Sequence, residues 1–270
     1  MKNTFAFITT IAWMLVGCGQ QQPADPIPEH QTFTVQSKHL DELRTINIWT
    51  PVSYKAHADS LPVLYMADGG IREDFPHIAN TLEKLIKENK IGPVILVGIE
   101  NTQRRRDLTG FTQVKKDKKV APVVGGSTKF RDFIRDELFP EVDKRYRTTN
   151  SRSIIGESLS GLFVMETFFT APDMFDRYIA FDPSLWWNDQ YLVRNAKHWL
   201  TKLPADEKRL WFAGSDARDI YPHTQKLAGT LKQENIPNLT WHYADEPGEQ
   251  HGTIFRAAKE KAIIWTLGDK

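Results

Sequence analysis

The segment that most constrains the fold of this chain is residues 153–163, which read SIIGESLSGLF. A short apolar run ends at Gly156, Ser158 follows two residues later, and an apolar, helix-compatible segment starts directly after it. This order is typical of a nucleophile elbow, in which a serine lies at the apex of a sharp turn between a strand and a helix. The segment therefore predicts a strand–turn–helix unit and indicates acyl transfer through a serine nucleophile.

A second Gly-x-Ser match, at Ser127, lacks this context because Pro122 interrupts the apolar residues before it. We therefore do not interpret Ser127 as a nucleophile. The usual elbow has glycine two residues after its serine, whereas this chain has Ser160 there and Gly161 next. That position has to be small because helix and strand crowd together, and serine meets the requirement. Ser158 is thus the candidate nucleophile.

The composition indicates one globular domain and no nucleic-acid partner. The chain has 270 residues, of which 40% are hydrophobic, with 35 basic and 34 acidic side chains. This length and apolar fraction allow a single core of substantial size. A net charge of +1 gives no electrostatic basis for binding nucleic acid. No obligate protein partner is evident either.

The N-terminus differs in character from the rest of the chain. Lys2 precedes a short apolar run over residues 5–16, and Leu-Val-Gly-Cys follows, ending at Cys18. The run is too short to span a bilayer and is typical of a signal peptide. Residues 15–18, Leu-Val-Gly-Cys, resemble a bacterial lipobox, and Cys18 is the only cysteine in the chain. We predict a lipoprotein signal (1–17), a proline-containing tether (18–30) and one domain (31–270). This organisation implies an anchor on the periplasmic side of the cell envelope, with a plain secretory signal as the alternative.

Strand-like and helix-like segments alternate along the domain. Two alternating segments, 32–36 and 45–50, favour antiparallel strands, whereas later apolar runs are typical of buried strands separated by helices. This order predicts an α/β fold with a mostly parallel sheet and helices on both faces. A helix with a kink at Pro140 is expected over residues 128–146. Residues 100–128 are expected to form a long loop.

In an α/β-hydrolase the catalytic residues follow one another along the chain in the order serine, acid, histidine. An acid and then a histidine base should therefore come after Ser158. His251 lies in the loop after the last predicted strand and is the best candidate base. The acid is expected after the preceding strand, where Asp216 is our choice and Asp219 the alternative. The carboxylate would accept the second imidazole N–H and stabilise the imidazolium ion.

An oxyanion hole needs two backbone N–H groups. One should come from Leu159, the residue after the nucleophile. The other is assigned to Gly70, because the turn after the strand that contains residues 64–66 reads Asp-Gly-Gly and allows a close backbone approach.

Six segments together resemble the putative-esterase family of α/β-hydrolases, whose members include enterochelin esterases, S-formylglutathione hydrolase, feruloyl esterases and mycolyltransferases. The segments are residues 64–69, 104–109, 133–146, 155–163, 183–187 and 248–251. They occur in the family's order and cover nearly all of the chain after the tether. The resemblance implies an α/β-hydrolase fold, with Ser158 as nucleophile, His251 as base and the oxyanion amide at Gly70.

The chain departs from the family pattern at two positions. Ser160 stands where members often have glycine, and Ala217 stands where they often have an acid. Some siderophore esterases of this family work with a Ser–His dyad. The acid therefore stays open between Asp216, Asp219 and no acid at all.

Two groups of residues are candidates for substrate binding. Arg104, Arg105 and Arg106 lie where siderophore-esterase relatives carry a basic loop, and a guanidinium can hold carboxylate or catecholate oxygens in bidentate fashion. The alternative is a solvated basic loop. Trp186 and Trp187 could form an aromatic wall for an acyl or aryl group, with one of the two packed in the core.

The predicted function is a serine carboxylic-ester hydrolase that acts through an acyl-enzyme, with siderophore esters as the leading substrate class by resemblance. No metal or organic cofactor is implied, since no cluster has ligand spacing. Two alternatives stay open. One is an acyltransferase with the same serine and histidine, and the other is a non-catalytic, ligand-binding envelope lipoprotein.

Overall fold

A computed structural model describes residues 25–268 of the chain. Its centre is an eight-stranded sheet with the strand order β1-β2-β4-β3-β5-β6-β7-β8. The strands are β1 Gln31–Ser37, β2 Glu42–Trp49, β3 Leu61–Met66, β4 Ile95–Ile99, β5 Thr148–Glu157, β6 Arg177–Phe181, β7 Lys208–Gly214 and β8 Leu239–Asp245.

The first two strands are antiparallel to their neighbours, and all the others run parallel. The central parallel strands are buried over most of their length, which explains why they appear in the sequence as continuous apolar runs. The predicted mostly parallel α/β sheet is therefore confirmed.

The helices that the structure describes are α1 Val52–Ala56, α2 Phe75–Lys87, α3 Arg104–Asp107, α4 Lys115–Val120, α5 Ser127–Phe133, α6 Phe139–Arg145, α7 Leu159–Thr170, α8 Trp187–Leu200, α9 Tyr221–Glu234 and α10 Ile254–Leu267. A π-helical turn, Ile134–Leu138, joins α5 to α6, and a 3₁₀ turn, Pro172–Met174, follows α7. In this part of the chain no helix is long and apolar enough to cross a membrane.

The sheet separates two hydrophobic clusters. Helices α2 and α10 pack on one face, where Leu82 and Ala262 are fully buried. Helices α5 to α9 pack on the other, where Phe130, Leu162 and Leu227 are buried. Because both faces are covered, the loops at the carboxyl ends of the strands are the natural place for a site.

Two of the sequence predictions need correction. The predicted loop over residues 100–128 contains the short helices α3 and α4. The predicted helix over residues 128–146 does not simply kink at Pro140, because the chain widens into the π-helical turn just before it. Proline has no N–H to donate to a carbonyl four residues earlier, so the regular bonding pattern cannot continue through it.

A buried network of charges attaches α3 to β2. The Arg44 guanidinium is fully buried and donates from Nη1 to Asp107 Oδ2 at 2.7 Å and to Glu42 Oε1 at 2.6 Å. Arg106 contacts the same two carboxylates, at 2.7 Å to Asp107 Oδ1 and 2.8 Å to Glu42 Oε1. Separating α3 from β2 would leave these buried charges without their partners, which is costly. The network therefore holds the two elements in one arrangement.

The predicted signal peptide (1–17) and Cys18, the predicted lipidation site at the start of the tether, lie outside the described residues and stay predictions. The last part of the predicted tether, residues 25–30, is described and contacts the domain. Asp25 forms an ion pair with Arg256 at 2.5 Å, and Asn80 Nδ2 donates to the Pro26 carbonyl at 2.8 Å.

Candidate active site

The site is built where three neighbouring parallel strands end. Ser158, Asp182 and Ser215 each follow directly after the last residue of β5, β6 and β7. The sheet's hydrogen bonding continues one step past the strands. The Ser158 N–H donates to the Phe181 carbonyl, and the Asp182 N–H donates to the Ala213 carbonyl, both at 3.0 Å. The register of the sheet therefore brings these side chains together.

Ser158 has the backbone strain expected of a nucleophile elbow. Its φ of 59° and ψ of −118° lie in a region that residues with a side chain rarely adopt. The surroundings hold this conformation, because the Ser158 carbonyl accepts the N–H groups of Leu162 at 2.8 Å and Ser184 at 3.1 Å. At Gly156 an added Cβ would overlap the Ser160 hydroxyl, so the turn requires glycine there. The predicted strand–turn–helix unit is thus present.

His251 lies between Ser158 and Asp182. Its Nε2 is 3.0 Å from Ser158 Oγ, and its Nδ1 is 3.0 Å from Asp182 Oδ2. An ionised carboxylate can only accept, so Nδ1–H donates to Asp182 and Nε2 of the neutral ring accepts the Ser158 hydroxyl proton. The three side chains form a continuous hydrogen-bonded chain, in the arrangement of a serine–histidine–acid triad.

The carboxylate that contacts His251 is therefore Asp182, and the choice of Asp216, or of Asp219, is wrong. Both of those residues are exposed, and Asp216 is held by its N–H, which donates to the Glu249 carbonyl at 3.0 Å. Ser215 occupies the first position after β7, and the chain has already turned outward at Asp216. The sequence did hold a signal: Asp182 follows its strand directly, as Ser158 does.

Asp182 is fully buried and is held by Ser215. The Ser215 hydroxyl donates to Asp182 Oδ2 at 2.5 Å, and the Ser215 N–H donates to Oδ1 at 2.6 Å. Its backbone is also strained, with φ at 40°. A buried carboxylate is tolerated only when its oxygens are satisfied by donors, and Ser215 and His251 supply them. The orientation of this carboxylate is therefore fixed.

Two titrating groups meet at the His251 ring. The hydrogen bond to Asp182 raises the pKa of His251, although burial of the ring opposes this, and the negative charge of Glu157 raises it further. Glu157 Oε1 lies 3.4 Å from His251 Nε2. Burial raises the pKa of Glu157 to about 7, even though a charged His251 lowers it. Glu157 was not recognised from the sequence, although it stands beside the nucleophile in the motif.

The two residues predicted to donate to an oxyanion differ in their availability. Leu159 is the first residue of α7, and the first N–H groups of a helix have no acceptor within it. The Gly70 N–H, in contrast, donates to Glu73 Oε2 at 2.7 Å. In this conformation a carboxylate therefore occupies the Gly70 N–H, and the role of Gly70 as an oxyanion donor stays a prediction.

The three arginines predicted to bind substrate have different environments. Arg104 binds Asp68 in bidentate fashion, with Nε at 2.5 Å from Oδ1 and Nη2 at 2.8 Å from Oδ2. Arg106 belongs to the network with Glu42 described above. Within residues 25–268 the Arg105 side chain is exposed and forms no ion pair. Of these three arginines, Arg105 alone presents an uncompensated guanidinium among the described residues.

The two tryptophans are also in different environments. Trp187 is buried, and its Nε1–H donates to the Gly110 carbonyl at 3.1 Å. Trp186 is half-buried, with its ring 5.8 Å from that of Trp187. Trp187 lines a cavity of about 400 Å³ beside α7, together with Phe111 and Tyr191. Trp187 is thus the tryptophan that packs in the core, and it is this packed ring that lines the cavity. A role for either tryptophan in substrate binding stays a prediction.

The carboxylates of Asp68 and Glu73 near the site accept hydrogen bonds from nitrogen atoms. Asn101 Nδ2 donates to Asp68 at 2.5 Å and to Glu73 at 2.8 Å, in addition to the contacts already given. Over the part of the chain that the structure describes, no three His, Cys, Asp or Glu side chains are grouped so that they could hold a metal ion.

Comparison with known proteins identifies the family. The family described as "Esterase: Putative esterase" matches residues 37–251, which is more than half of the chain. The chain belongs to this family. The Ser158 elbow and His251 both lie within the matched region, and the protein is an enzyme that hydrolyses ester bonds.

Relatives of this esterase include two named siderophore esterases. It is 31% identical to the ferri-bacillibactin esterase BesA of Bacillus subtilis over 240 residues, covering 76% of this chain and 78% of the relative. It is 39% identical to the siderophore triacetylfusarinine C esterase of Aspergillus fumigatus over 194 residues, covering 66% of this chain and 64% of the relative.

Solved structures share the fold. An IroE-like serine hydrolase from Shewanella oneidensis superposes with a TM-score of 0.80 at 26% identity, covering 88% of this chain and 79% of that one. The siderophore hydrolase EstB from Aspergillus nidulans gives a TM-score of 0.75 at 22% identity, covering 92% and 97%. The predicted α/β-hydrolase fold is confirmed.

If Asp182 holds His251 as described, Asp182→Asn should lower the pKa of the His251 ring. The hydrogen bond to Asp182 is the largest influence that raises this pKa. A neutral amide stabilises the imidazolium less, so we expect a fall of at least about one pH unit. Titration of the His251 ring by NMR measures it. Asp216→Asn is the matched control and should leave the pKa of His251 nearly unchanged; a larger fall in the control would contradict the geometry.

Proposed function

We propose that this protein is a serine esterase that works through an acyl-enzyme on siderophore-type esters. The observation that carries the proposal is the position of His251, with Nε2 3.0 Å from Ser158 Oγ and Nδ1 3.0 Å from Asp182 Oδ2. Both distances lie within the range for proton transfer and for orientation of the base. The family and the named relatives support the same reaction class.

In the first half-reaction, Ser158 Oγ attacks the ester carbonyl while its proton passes to His251 Nε2. The ring becomes an imidazolium ion, and Asp182 stabilises it through Nδ1–H without taking the proton. When the tetrahedral intermediate collapses, the ester C–O bond breaks and His251 returns the proton to the leaving alcohol. The products are an alcohol and an acyl group on Ser158.

In the second half-reaction water replaces the alcohol. His251 takes a proton from the water, the resulting hydroxide attacks the acyl carbon, and the bond to Ser158 Oγ breaks as the proton returns to that oxygen. The carboxylic acid leaves and the serine is regenerated. The neutral state of Nε2 is required at the start of both halves, so the activity should fall below the raised pKa of His251.

The oxyanion formed in each half needs donors close to Ser158. We assign one to the Leu159 N–H, because it opens α7 and the dipole of that helix favours negative charge at its N-terminus. Gly70 can be the second donor only after its N–H is released from Glu73. Substrate binding would therefore have to displace the Glu73 carboxylate.

Siderophore esters are the proposed substrate class on two grounds. The first is the naming of the two relatives, which act on ferri-bacillibactin and triacetylfusarinine C. The second is a pair of features that suit such a ligand: the exposed Arg105 in α3 can meet ligand oxygens, and the cavity beside α7 that Trp187 lines can accept an apolar or aryl group. Because Arg104 and Arg106 are already paired, Arg105 is the proposed contact for anionic groups.

We expect a fluorophosphonate probe to form a covalent adduct at Ser158, since the probe reacts only with an activated serine. Intact-protein mass spectrometry should show one adduct, and peptide mapping should locate it. Ser158→Ala should abolish both the adduct and esterase activity. Ser160→Ala is the matched control, because the buried Ser160 hydroxyl has no hydrogen-bond partner; it should label like wild type. Full esterase activity in Ser158→Ala would disprove the assignment of Ser158 as the nucleophile.

We expect a cyclic triester siderophore, as its ferric complex, to be a better substrate than 4-nitrophenyl butyrate, judged by kcat/KM. The panel should pair a tris-catecholate with a tris-hydroxamate triester, each iron-loaded and iron-free, with products followed by chromatography and mass spectrometry. Arg105→Met should weaken hydrolysis of the anionic catecholate more than that of the neutral hydroxamate. Turnover of the simple ester alone would contradict the substrate class but not the esterase.

A further inference from the structure

Glu157 lies against the reacting nitrogen of His251. It is the last residue of β5, directly before the strained Ser158, and its Oε1 is 3.4 Å from Nε2. The same nitrogen contacts Ser158 Oγ at 3.0 Å. The ring is thus flanked by two carboxylates, with Asp182 at Nδ1 and Glu157 at Nε2.

The surroundings of Glu157 leave His251 as its nearest cationic partner. The Glu157 side chain is 18% exposed. The charged groups that face it are Asp68 at the end of β3, Asp74 before α2, Arg104 in α3 and His251 in the loop before α10. Arg104 is already bound by Asp68 in bidentate fashion. A mostly buried carboxylate with this environment is stabilised as an anion mainly when His251 is charged.

We propose that Glu157 is a positioning residue that holds the His251 imidazolium between the two proton transfers, as a second carboxylate opposite Asp182. This rests on the proposed function, because His251 has to carry the proton taken from Ser158. The neutral ring has a lone pair at Nε2 and gains nothing from Glu157. The protonated ring has an N–H there and gains an adjacent negative charge. Glu157 therefore favours the charged state that forms during the reaction over the resting state.

The pH behaviour follows from the same contact. The hydrogen bond to Asp182, in the loop after β6, raises the pKa of His251 most; the charge of Glu157 raises it further, and the charge of Asp219, in the loop after β7, does so more weakly. The pKa of Glu157 is itself raised to about 7. The two groups therefore titrate as a coupled pair. Removal of the Glu157 charge should let the ring lose its proton at lower pH.

The test is the pH profile of kcat/KM for Glu157→Gln, an isosteric change, with each preparation normalised by fluorophosphonate titration of active Ser158. An opposite charge within about 4–6 Å shifts a pKa by about 1–3 units. We expect a pKa shift at the low end of this range, because the site is partly open to water. The acid limb of Glu157→Gln should then move about one pH unit lower, and the alkaline plateau should fall about tenfold, since one pKa unit and a tenfold rate change correspond to the same free energy.

Two further variants separate this role from a structural one. Asp219→Asn also removes one negative charge that acts on His251, but it makes no contact with Nε2, so its acid limb should move far less. Glu157→Asp keeps the charge and should retain most of the wild-type pH profile. An acid limb in Glu157→Gln that coincides with wild type would overturn the proposal. If the fluorophosphonate did not react with Ser158 in the wild-type protein, the proposed function itself would be wrong. That outcome differs from an unshifted acid limb, which would overturn only the role of Glu157.

Discussion

The site depends on one constraint, the register of the parallel strands β5, β6 and β7. The backbone bond from Ser158 N–H to the Phe181 carbonyl, and that from Asp182 N–H to the Ala213 carbonyl, continue the sheet beyond its regular strands. They fix where the nucleophile and the acid leave the sheet. A shift of one residue in either strand would turn these side chains toward the opposite face. The chemistry is thus set by main-chain pairing before any side chain is considered.

The second requirement is a buried negative charge that stays in place. Asp182 is fully buried, and the Ser215 hydroxyl and N–H satisfy two of its acceptor sites while His251 satisfies a third. In a water-poor interior an unpaired carboxylate would be costly, so these donors are what make the site possible. The same donors explain why the residue after β7 is a serine and not the acid. β6 supplies the carboxylate, and β7 supplies its support.

Much of the architecture could be predicted from the sequence because its signals are local. The elbow around Ser158 is visible as an apolar run, a glycine and a helix-compatible segment, and the loop position of His251 follows from the last strand and the last helix. The acid could not be assigned in the same way. Both Asp182 and Asp216 lie near strand ends, and only the three-dimensional register shows that Asp182 points to the ring.

The charges around the site were equally inaccessible to sequence reasoning. Arg104, Arg105 and Arg106 are identical in type and adjacent in the chain, but Asp68 and Glu42 neutralise the first and the last. These partners are distant in the sequence, so the pairing depends on tertiary structure. The engagement of the Gly70 N–H by Glu73 is a further case, since an Asp-Gly-Gly turn predicts an available amide but not a neighbouring carboxylate.

The most direct test of this account is kcat/KM for hydrolysis of an activated ester by Asp182→Asn, measured beside Asp216→Asn and Asp219→Asn. Loss of the acid of a serine triad with its geometry kept lowers kcat by about 10⁴-fold in a well-studied protease. We predict a loss of about 10³-fold or more for Asp182→Asn and changes within about threefold for the other two, which are exposed surface positions. Wild-type activity in Asp182→Asn, with a large loss in Asp216→Asn or Asp219→Asn, would contradict the account.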